Sequence, residues 1–152
     1  MIIAVVLVLV TALARALGSL GVGYFESWPP AVRVGLAAML LFASSAHFNQ
    51  MQADLIRMVP AWMPRPYETV IATGVLEWLC AAGLLIAATQ RAAGWTLIAL
   101  FIGLLPANIR AARLQLAIGR RRATPLAWRV PLQLIFIGLT WWSACMHQGK
   151  SL

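Results

Sequence analysis

Five apolar stretches alternate with short polar or basic segments along the chain. Each is about as long as the 17–25 residues that a helix needs to cross the hydrocarbon core of a bilayer. They cover Met1 to about Tyr24, Ala31–Phe48, Tyr67–Thr89, Ala92–Ile109 and Leu126–Met146. Pro66 precedes the third stretch, and Thr124 with Pro125 precedes the fifth, as N-caps and first-turn prolines do. The pattern predicts an all-α integral membrane bundle forming a single domain over residues 1–152.

Composition supports a membrane protein over a soluble one. The chain is 62% hydrophobic and 11% charged, with a mean hydropathy of +0.83, whereas soluble domains have roughly 45–50% apolar and 25% charged residues. The net charge of +8 does not indicate nucleic-acid binding, because the basic residues lie at the ends of apolar stretches. Cys80 and Cys145 lie far apart in sequence, which argues against a CxxC dithiol or a clustered zinc site.

The arginines predict an orientation in the membrane. The segments after the second and fourth stretches lie on one side if stretches two to five all span, and they carry most of the basic residues: Arg57, Arg65, Arg110, Arg113, Arg120, Arg121 and Arg122. The other side has Arg33 and Arg91 at helix ends and Lys150 in the tail, and Arg15 is expected towards the outer end of the first stretch. By the positive-inside rule, the arginine-rich segments are expected in the cytoplasm, with the protein in the bacterial inner (plasma) membrane.

Polar residues within the apolar stretches share one depth. With that topology, the cytoplasmic half of the bilayer receives polar side chains from four helices: His47, Glu77, Asn108, Arg129 and Gln133. Helical spacing places Glu77 on one stripe with Cys80, and Arg129 on one face with Gln133. A charge in hydrocarbon costs a few kcal/mol or more, so both stripes are expected to face the bundle interior. We therefore expect these five residues to line one intramembrane polar pocket.

Glu77 and Arg129 carry the two charges of this set, and we expect them to form an ion pair. Two interpretations of the cluster remain open. It could only fix the register of the helices, as buried ion pairs do in some proteins. Alternatively it could bind a ligand, since ionisable groups within a membrane are candidate functional sites. The second interpretation is favoured because a histidine and two amides join the charged pair.

The segment FNQMQADLIRMVPAWMPRP, residues 48–66, is rich in methionine and proline. Its proline spacing predicts a short interfacial helix followed by an extended segment. Met51 lies one turn from His47 and could in principle bind copper or a haem iron. The favoured interpretation is that the methionines coat the membrane interface, and no metal ligand is assigned.

Five strings taken together resemble one family of membrane proteins. They are AHF at 46–48, MVPAWMPRP at 58–66, TGVLEWLCAAGLL at 73–85, PANI at 106–109 and RVPLQ at 129–133. In order and spacing, over roughly residues 32–142, the chain is similar to the DoxX-like membrane proteins. The resemblance implies a four-helix transmembrane core, here residues 31–146, with residues 1–24 as an additional N-terminal helix.

The resemblance also implies functions. Relatives include a membrane subunit of a thiosulfate:quinone oxidoreductase, membrane partners of redox-defence enzymes, and assembly chaperones. On this basis, the five residues His47, Glu77, Asn108, Arg129 and Gln133 are expected to bind a ligand, with quinone favoured over haem or copper. The protein would serve as a membrane subunit beside a partner redox protein. The alternative is a non-enzymatic scaffold or chaperone. No catalytic residue or oligomeric state is assigned.

Overall fold

The computed structural model describes residues 2–114, 117–118, 121–122 and 126–146, and these residues are almost entirely helical. The six α-helices are α1 (Ile2–Ser19), α2 (Trp28–Ser44), α3 (Gln52–Met58), α4 (Pro66–Leu85), α5 (Gln90–Arg113) and α6 (Leu126–Thr140). Two 3₁₀ turns (Gly23–Phe25 and Ser45–Phe48) and a π-helix (Trp141–Met146) complete the helical elements. Two-residue strands β1 (Ala117–Ile118) and β2 (Arg121–Arg122) pair antiparallel between α5 and α6.

In the described part of the chain, four helical segments are long and apolar enough to cross a membrane: Ile2–Ser19, Trp28–Phe48, Pro66–Leu85 and Gln90–Arg113. The fifth predicted stretch forms α6, which has 15 residues, and continues directly into the π-helix. The protein is therefore an integral membrane protein. Thr124 and Pro125, the expected start signals of the fifth helix, lie outside the described residues, as do Arg120 and Lys150.

The segment between α2 and α4 contains the predicted short helix, but the residues after it form turns and bends rather than the predicted extended segment. The short helix α3 is followed by the non-helical residues 59–65, where prolines remove the backbone donors that a helix would need. Arg65 ends this segment in the left-handed region, with φ 54°. Its carbonyl accepts hydrogen bonds from the backbone and the hydroxyl of Thr69 in the first turn of α4.

Four elements form a ring: α2, α4, α5, and α6 together with its π-helix. Each element packs on the next, and α6 with its π-helix packs back on α2. Successive helices run antiparallel, since the end of α2 meets the start of α4, and Gly83 near the end of α4 meets Ala93 near the start of α5. A Cβ on Gly83 would lie 2.8 Å from that of Ala93. Small residues allow such close approach, as is common between membrane helices.

Helix α1 lies outside the ring and packs on α2. Leu7 and Ala14 face α2 and are buried, whereas Val8, Leu9 and Leu13 on the other side are each more than 60% exposed. The guanidinium of Arg15 donates to the carbonyl of Phe25 and lies 5.1 Å from the centre of the Trp28 ring. The first helix is therefore peripheral to the ring.

The interior of the ring is apolar at its centre and polar towards the ends. Leu36, Leu84 and Leu97 are completely buried, and Phe101 contacts Phe136 across the α5–α6 interface. Apolar side chains of the outer surface remain exposed, which suits helices that face hydrocarbon rather than water.

Candidate functional site

The five predicted site residues lie on four helical elements, and all but Glu77, which is near the middle of its helix, lie towards one end of the ring. His47 lies in the 3₁₀ turn after α2 and Glu77 lies in α4, while Asn108 lies near the end of α5. Arg129 and Gln133 lie in the first half of α6. The shared depth in the bilayer, which the alternating topology predicts, stays a prediction. The residues form two groups rather than one.

The first group is an ion-pair arrangement of two buried side chains, His47 and Glu77. The Nε2 atom of His47 lies 3.8 Å from Oε2 of Glu77, and the two residues are 9% and 6% exposed. The other ring nitrogen, Nδ1, lies 2.7 Å from the carbonyl oxygen of Val70. A carbonyl can only accept, so Nδ1 carries the proton and Nε2 faces the carboxyl group.

Glu77 has hydrogen-bonding capacity that its neighbours do not use. Among the described residues, its buried Oε2 accepts no hydrogen bond, and at 3.8 Å the imidazole is beyond ordinary hydrogen-bond distance. A buried oxygen of this kind is uncommon and needs an explanation, such as a bound water, an ion or a ligand.

Gly74 and Thr73 position His47 against α4. A Cβ on Gly74 would lie 2.7 Å from Cβ and 2.8 Å from Cγ of His47, so only glycine leaves room for the imidazole. The hydroxyl of Thr73 donates to the carbonyls of Thr69 and Val70 and lies 3.4 Å from Nδ1 of His47. Gly74 therefore allows the close packing of His47 on α4.

The second group is a chain of hydrogen bonds between α5 and α6. A guanidinium nitrogen of Arg129 donates to Oδ1 of Asn108 at 2.9 Å, and Nδ2 of Asn108 donates to Oε1 of Gln133 at 3.2 Å. Nε2 of Gln133 in turn donates to the backbone carbonyl of Phe101. In Asn108 and in Gln133, both the oxygen and the nitrogen of the side-chain amide are therefore hydrogen-bonded within the protein.

The predicted ion pair between Glu77 and Arg129 is wrong. The structure places His47 beside Glu77 and Asn108 beside Arg129. Glu77 belongs to α4, which packs on α2 and α5, whereas Arg129 belongs to α6, which packs on α5 and α2. Helices α4 and α6 thus lie across the ring from each other, and their charged residues meet nearer partners. Among the described residues, no hydrogen bond or ion pair joins the two groups.

A groove of about 550 Å³ lies near the end of α5, where its lining residues Pro106 and Ile109 flank Asn108 in sequence. It runs between the non-helical segment after α3 and the last turns of α5. Pro60, Trp62, Pro106 and Ile109 give it an apolar lining, and arginines from the end of α5 border it. A pocket enclosed by all five site residues stays a prediction.

Two further buried polar residues, Arg33 and Gln90, were not predicted as interior residues. Arg33 is only 4% exposed and donates to the carbonyl of Ser143 at 2.8 Å, and Gln90 donates to the carbonyl of Ala144 at 3.2 Å. Both accepting carbonyls belong to the π-helix, whose i→i+5 geometry leaves carbonyls off the regular α-helical pattern. The position of Arg33 five residues into an apolar helix was the available signal.

Together, the ring of apolar helices and its buried polar end define an integral membrane helical bundle with a candidate intramembrane site. Residues 36–144, which include all five candidate site residues, match the family model described as Domain of unknown function (DUF8561). The match covers more than half of the chain, and the chain therefore belongs to this family. Neither a curated protein nor a solved structure matches the chain significantly.

Proposed function

We propose that this protein is a DoxX-like membrane component of a quinone-linked redox system. The observation that supports this proposal is the buried Oε2 of Glu77, which faces Nε2 of His47 and accepts no hydrogen bond among the described residues. An acidic group and an imidazole in an apolar surrounding are the kind of few, convergent polar groups that orient a small ligand.

The chemistry of the pair suits a quinone and its quinol, because a quinol hydroxyl can donate to Oε2 of Glu77 and a quinone carbonyl can accept from a protonated Glu77 or His47. A bound quinone supplies a carrier that takes up two electrons and two protons to become a quinol, with the electrons coming from a partner redox protein. His47 and Glu77 can each hold or release a proton at the nitrogen and oxygen that face each other. The bond from His47 to the Val70 carbonyl fixes the ring so that Nε2 is the exchanging atom.

The role of the second group changes in this proposal. Gln133 and Asn108 are engaged with each other and with the Phe101 carbonyl. They therefore shape the wall of the site, while His47 and Glu77 would make the polar contacts to the ligand.

The test is quinone binding by purified protein in lipid nanodiscs. Binding of a short-chain benzoquinone and a short-chain naphthoquinone is measured for wild type and for Glu77→Gln. A quinone carbonyl can only accept, so Glu77 donates to it as the protonated acid, whereas glutamine donates from an amide that cannot release its proton. Replacing this neutral hydrogen bond should cost about 0.5–1.5 kcal/mol, and affinity should fall about 2-fold to 12-fold.

Glu68→Gln is the matched control, because Glu68 lies on the same helix, is exposed, and loses the same charge. Its affinity should equal that of wild type. Absence of binding of both quinones to wild type, or equal binding by Glu77→Gln, would contradict the proposal.

A second candidate function is a non-enzymatic membrane scaffold or assembly chaperone. The closed chain of hydrogen bonds from Arg129 through Asn108 to Gln133 favours it, since such a network fixes helix packing without a ligand. Stoichiometric co-purification with another membrane protein, in the absence of any bound quinone, would support this candidate over the first.

We further propose that the protein lies in the bacterial inner membrane with its arginine-rich segments in the cytoplasm, on the strength of the arginine asymmetry. Single cysteines near Arg121 and Ser151, in a background with Cys80 and Cys145 replaced by alanine, should react with an impermeant maleimide from opposite sides. Reaction from the same side would contradict this orientation or the number of spanning helices.

A further inference from the structure

The groove between the segment after α3 and the end of α5 has features that the proposed function does not use. Its floor is apolar and comes from Pro60, Pro106 and Ile109, and the exposed ring of Trp62 stands at its edge. Its volume of about 550 Å³ falls within the range of small-molecule sites.

Two arginines, Arg110 and Arg113, line the same groove. They lie three residues apart on α5 and therefore share one face of the helix. The Nε atom of Arg110 donates to the backbone carbonyl of Arg57 at 3.4 Å, which leaves its two terminal nitrogens available.

Among the described residues, no carboxylate forms an ion pair with either guanidinium. The chain has four acidic residues, and all four lie in the described part. Asp54 contacts Arg57, Glu77 contacts His47, and among the described residues no ion pair reaches Arg110 or Arg113. The last carbonyls of α5 carry a partial negative charge equivalent to about half an elementary charge. The two arginines more than offset it, so the groove has a net positive charge.

We propose that this groove binds an anionic phospholipid of the surrounding membrane. Arg110 and Arg113 would hold the phosphate, and the proximal acyl chain would lie along Pro106, Ile109 and Trp62. The occupant is a lipid rather than a soluble anion because the floor is apolar and the groove lies at the end of a spanning helix. Basic sites between membrane helices on the cytoplasmic side are known to bind anionic head groups. Trp62 has the kind of amphipathic ring that is enriched at membrane–water interfaces.

The experiment compares lipid retention by native mass spectrometry and by extraction. Full-length protein is reconstituted in nanodiscs with equal amounts of phosphatidylglycerol and phosphatidylcholine, then transferred to detergent. Wild type should retain phosphatidylglycerol preferentially. The double variant Arg110→Gln/Arg113→Gln should lose that preference by about 10-fold to 30-fold, from the usual contribution of each basic residue near an anionic surface.

The matched control is Arg57→Gln/Arg65→Gln, which removes the same charge from the same end of the molecule without removing a groove side chain. If the groove arginines themselves hold the lipid, this control should keep a lipid preference within about twofold of that of wild type. A third variant, Arg110→Lys/Arg113→Lys, keeps the charge and should retain most of the preference. It keeps the proposal testable if the glutamine variant does not fold.

Three results would overturn the proposal. The first is the absence of any preference for phosphatidylglycerol in the wild-type protein. Another is an equal loss in the control, which would mean that only overall charge attracts the lipid. The third is displacement of the bound lipid by millimolar inorganic phosphate, which would show that the groove binds a free anion. Quinone binding by the two glutamine variants should be unchanged, so this proposal and the proposed function can fail separately.

Discussion

Gly74→Ala tests whether the contact between α4 and the 3₁₀ turn organises the candidate site. The added methyl would lie 2.7 Å from Cβ of His47 and 3.1 Å from Cε2 of Phe48. Carbon atoms pack best at about 3.5–4.0 Å, so the turn must move away from α4 by about 1 Å. Overpacking a well-packed interior typically costs about 1–3 kcal/mol, and the same movement would separate His47 from Glu77.

The assay is reversible unfolding in mixed micelles, with the denaturing detergent fraction varied and helix content followed by circular dichroism. Gly74→Ala should lower the free energy of unfolding by about 1–3 kcal/mol and should also weaken quinone binding. Gly103→Ala is the matched control, because a Cβ there meets nothing within 4 Å. It should be neutral or stabilising, since alanine is the better helix former by about 1 kcal/mol.

Equal unfolding free energies for Gly74→Ala and Gly103→Ala would refute the close packing of His47 on α4. A destabilised Gly74→Ala with unchanged quinone affinity would retain the packing but would separate it from the ligand site.

The remaining predictions concern the coupling of buried charges. In double-mutant cycles, the unfolding free energies of His47→Gln and Glu77→Gln should be non-additive, whereas those of Glu77→Gln and Arg129→Gln should add within about 0.5 kcal/mol. Arg33→Met removes the donor to the Ser143 carbonyl and should destabilise the bundle by about 1–2 kcal/mol, as the loss of a strong hydrogen bond between membrane helices does. Additive losses in the first cycle, or an unaltered stability of Arg33→Met in the detergent titration, would contradict the contacts described.

The sequence predicts the buried faces of the polar residues correctly. Gln133, Phe136 and Thr140 are all buried, as their spacing along one helix face requires. Likewise, Glu77 and Cys80 turn inward together on α4. These features follow from local periodicity, which a single sequence contains.

Which side chains Glu77 and Arg129 contact was not predictable in the same way. Glu77 and Arg129 are the two charges predicted at one depth, and electrostatics alone would pair them. The order of helices around the ring decides otherwise, because α4 packs on α2 and α5 and brings Glu77 to His47. Helical periodicity gives the direction of each side chain relative to its own axis but says nothing about which helix lies there.

Arg33 shows a second limit of sequence patterns. Counting charges for the orientation of the chain treats an arginine near a helix end as a solvated residue. In the structure, the π-helix presents the carbonyl of Ser143 to Arg33 and allows it to be buried. A π-helix has no simple sequence signature, and the partner of Arg33 lies 110 residues away.

The contrast between the two polar groups determines which variants can report on function. Gln133→Leu would remove a hydrogen-bonding group, but Gln133 already bonds Asn108 and the Phe101 carbonyl. Its loss would strand both partners in an apolar interior, so reduced ligand binding by Gln133→Leu would reflect altered folding as readily as a lost contact. Glu77 has the opposite property, because its buried Oε2 accepts no hydrogen bond among the described residues. Glu77→Gln therefore breaks no hydrogen bond at that oxygen, and a change in binding by this variant is the more direct evidence for a ligand at this end of the ring.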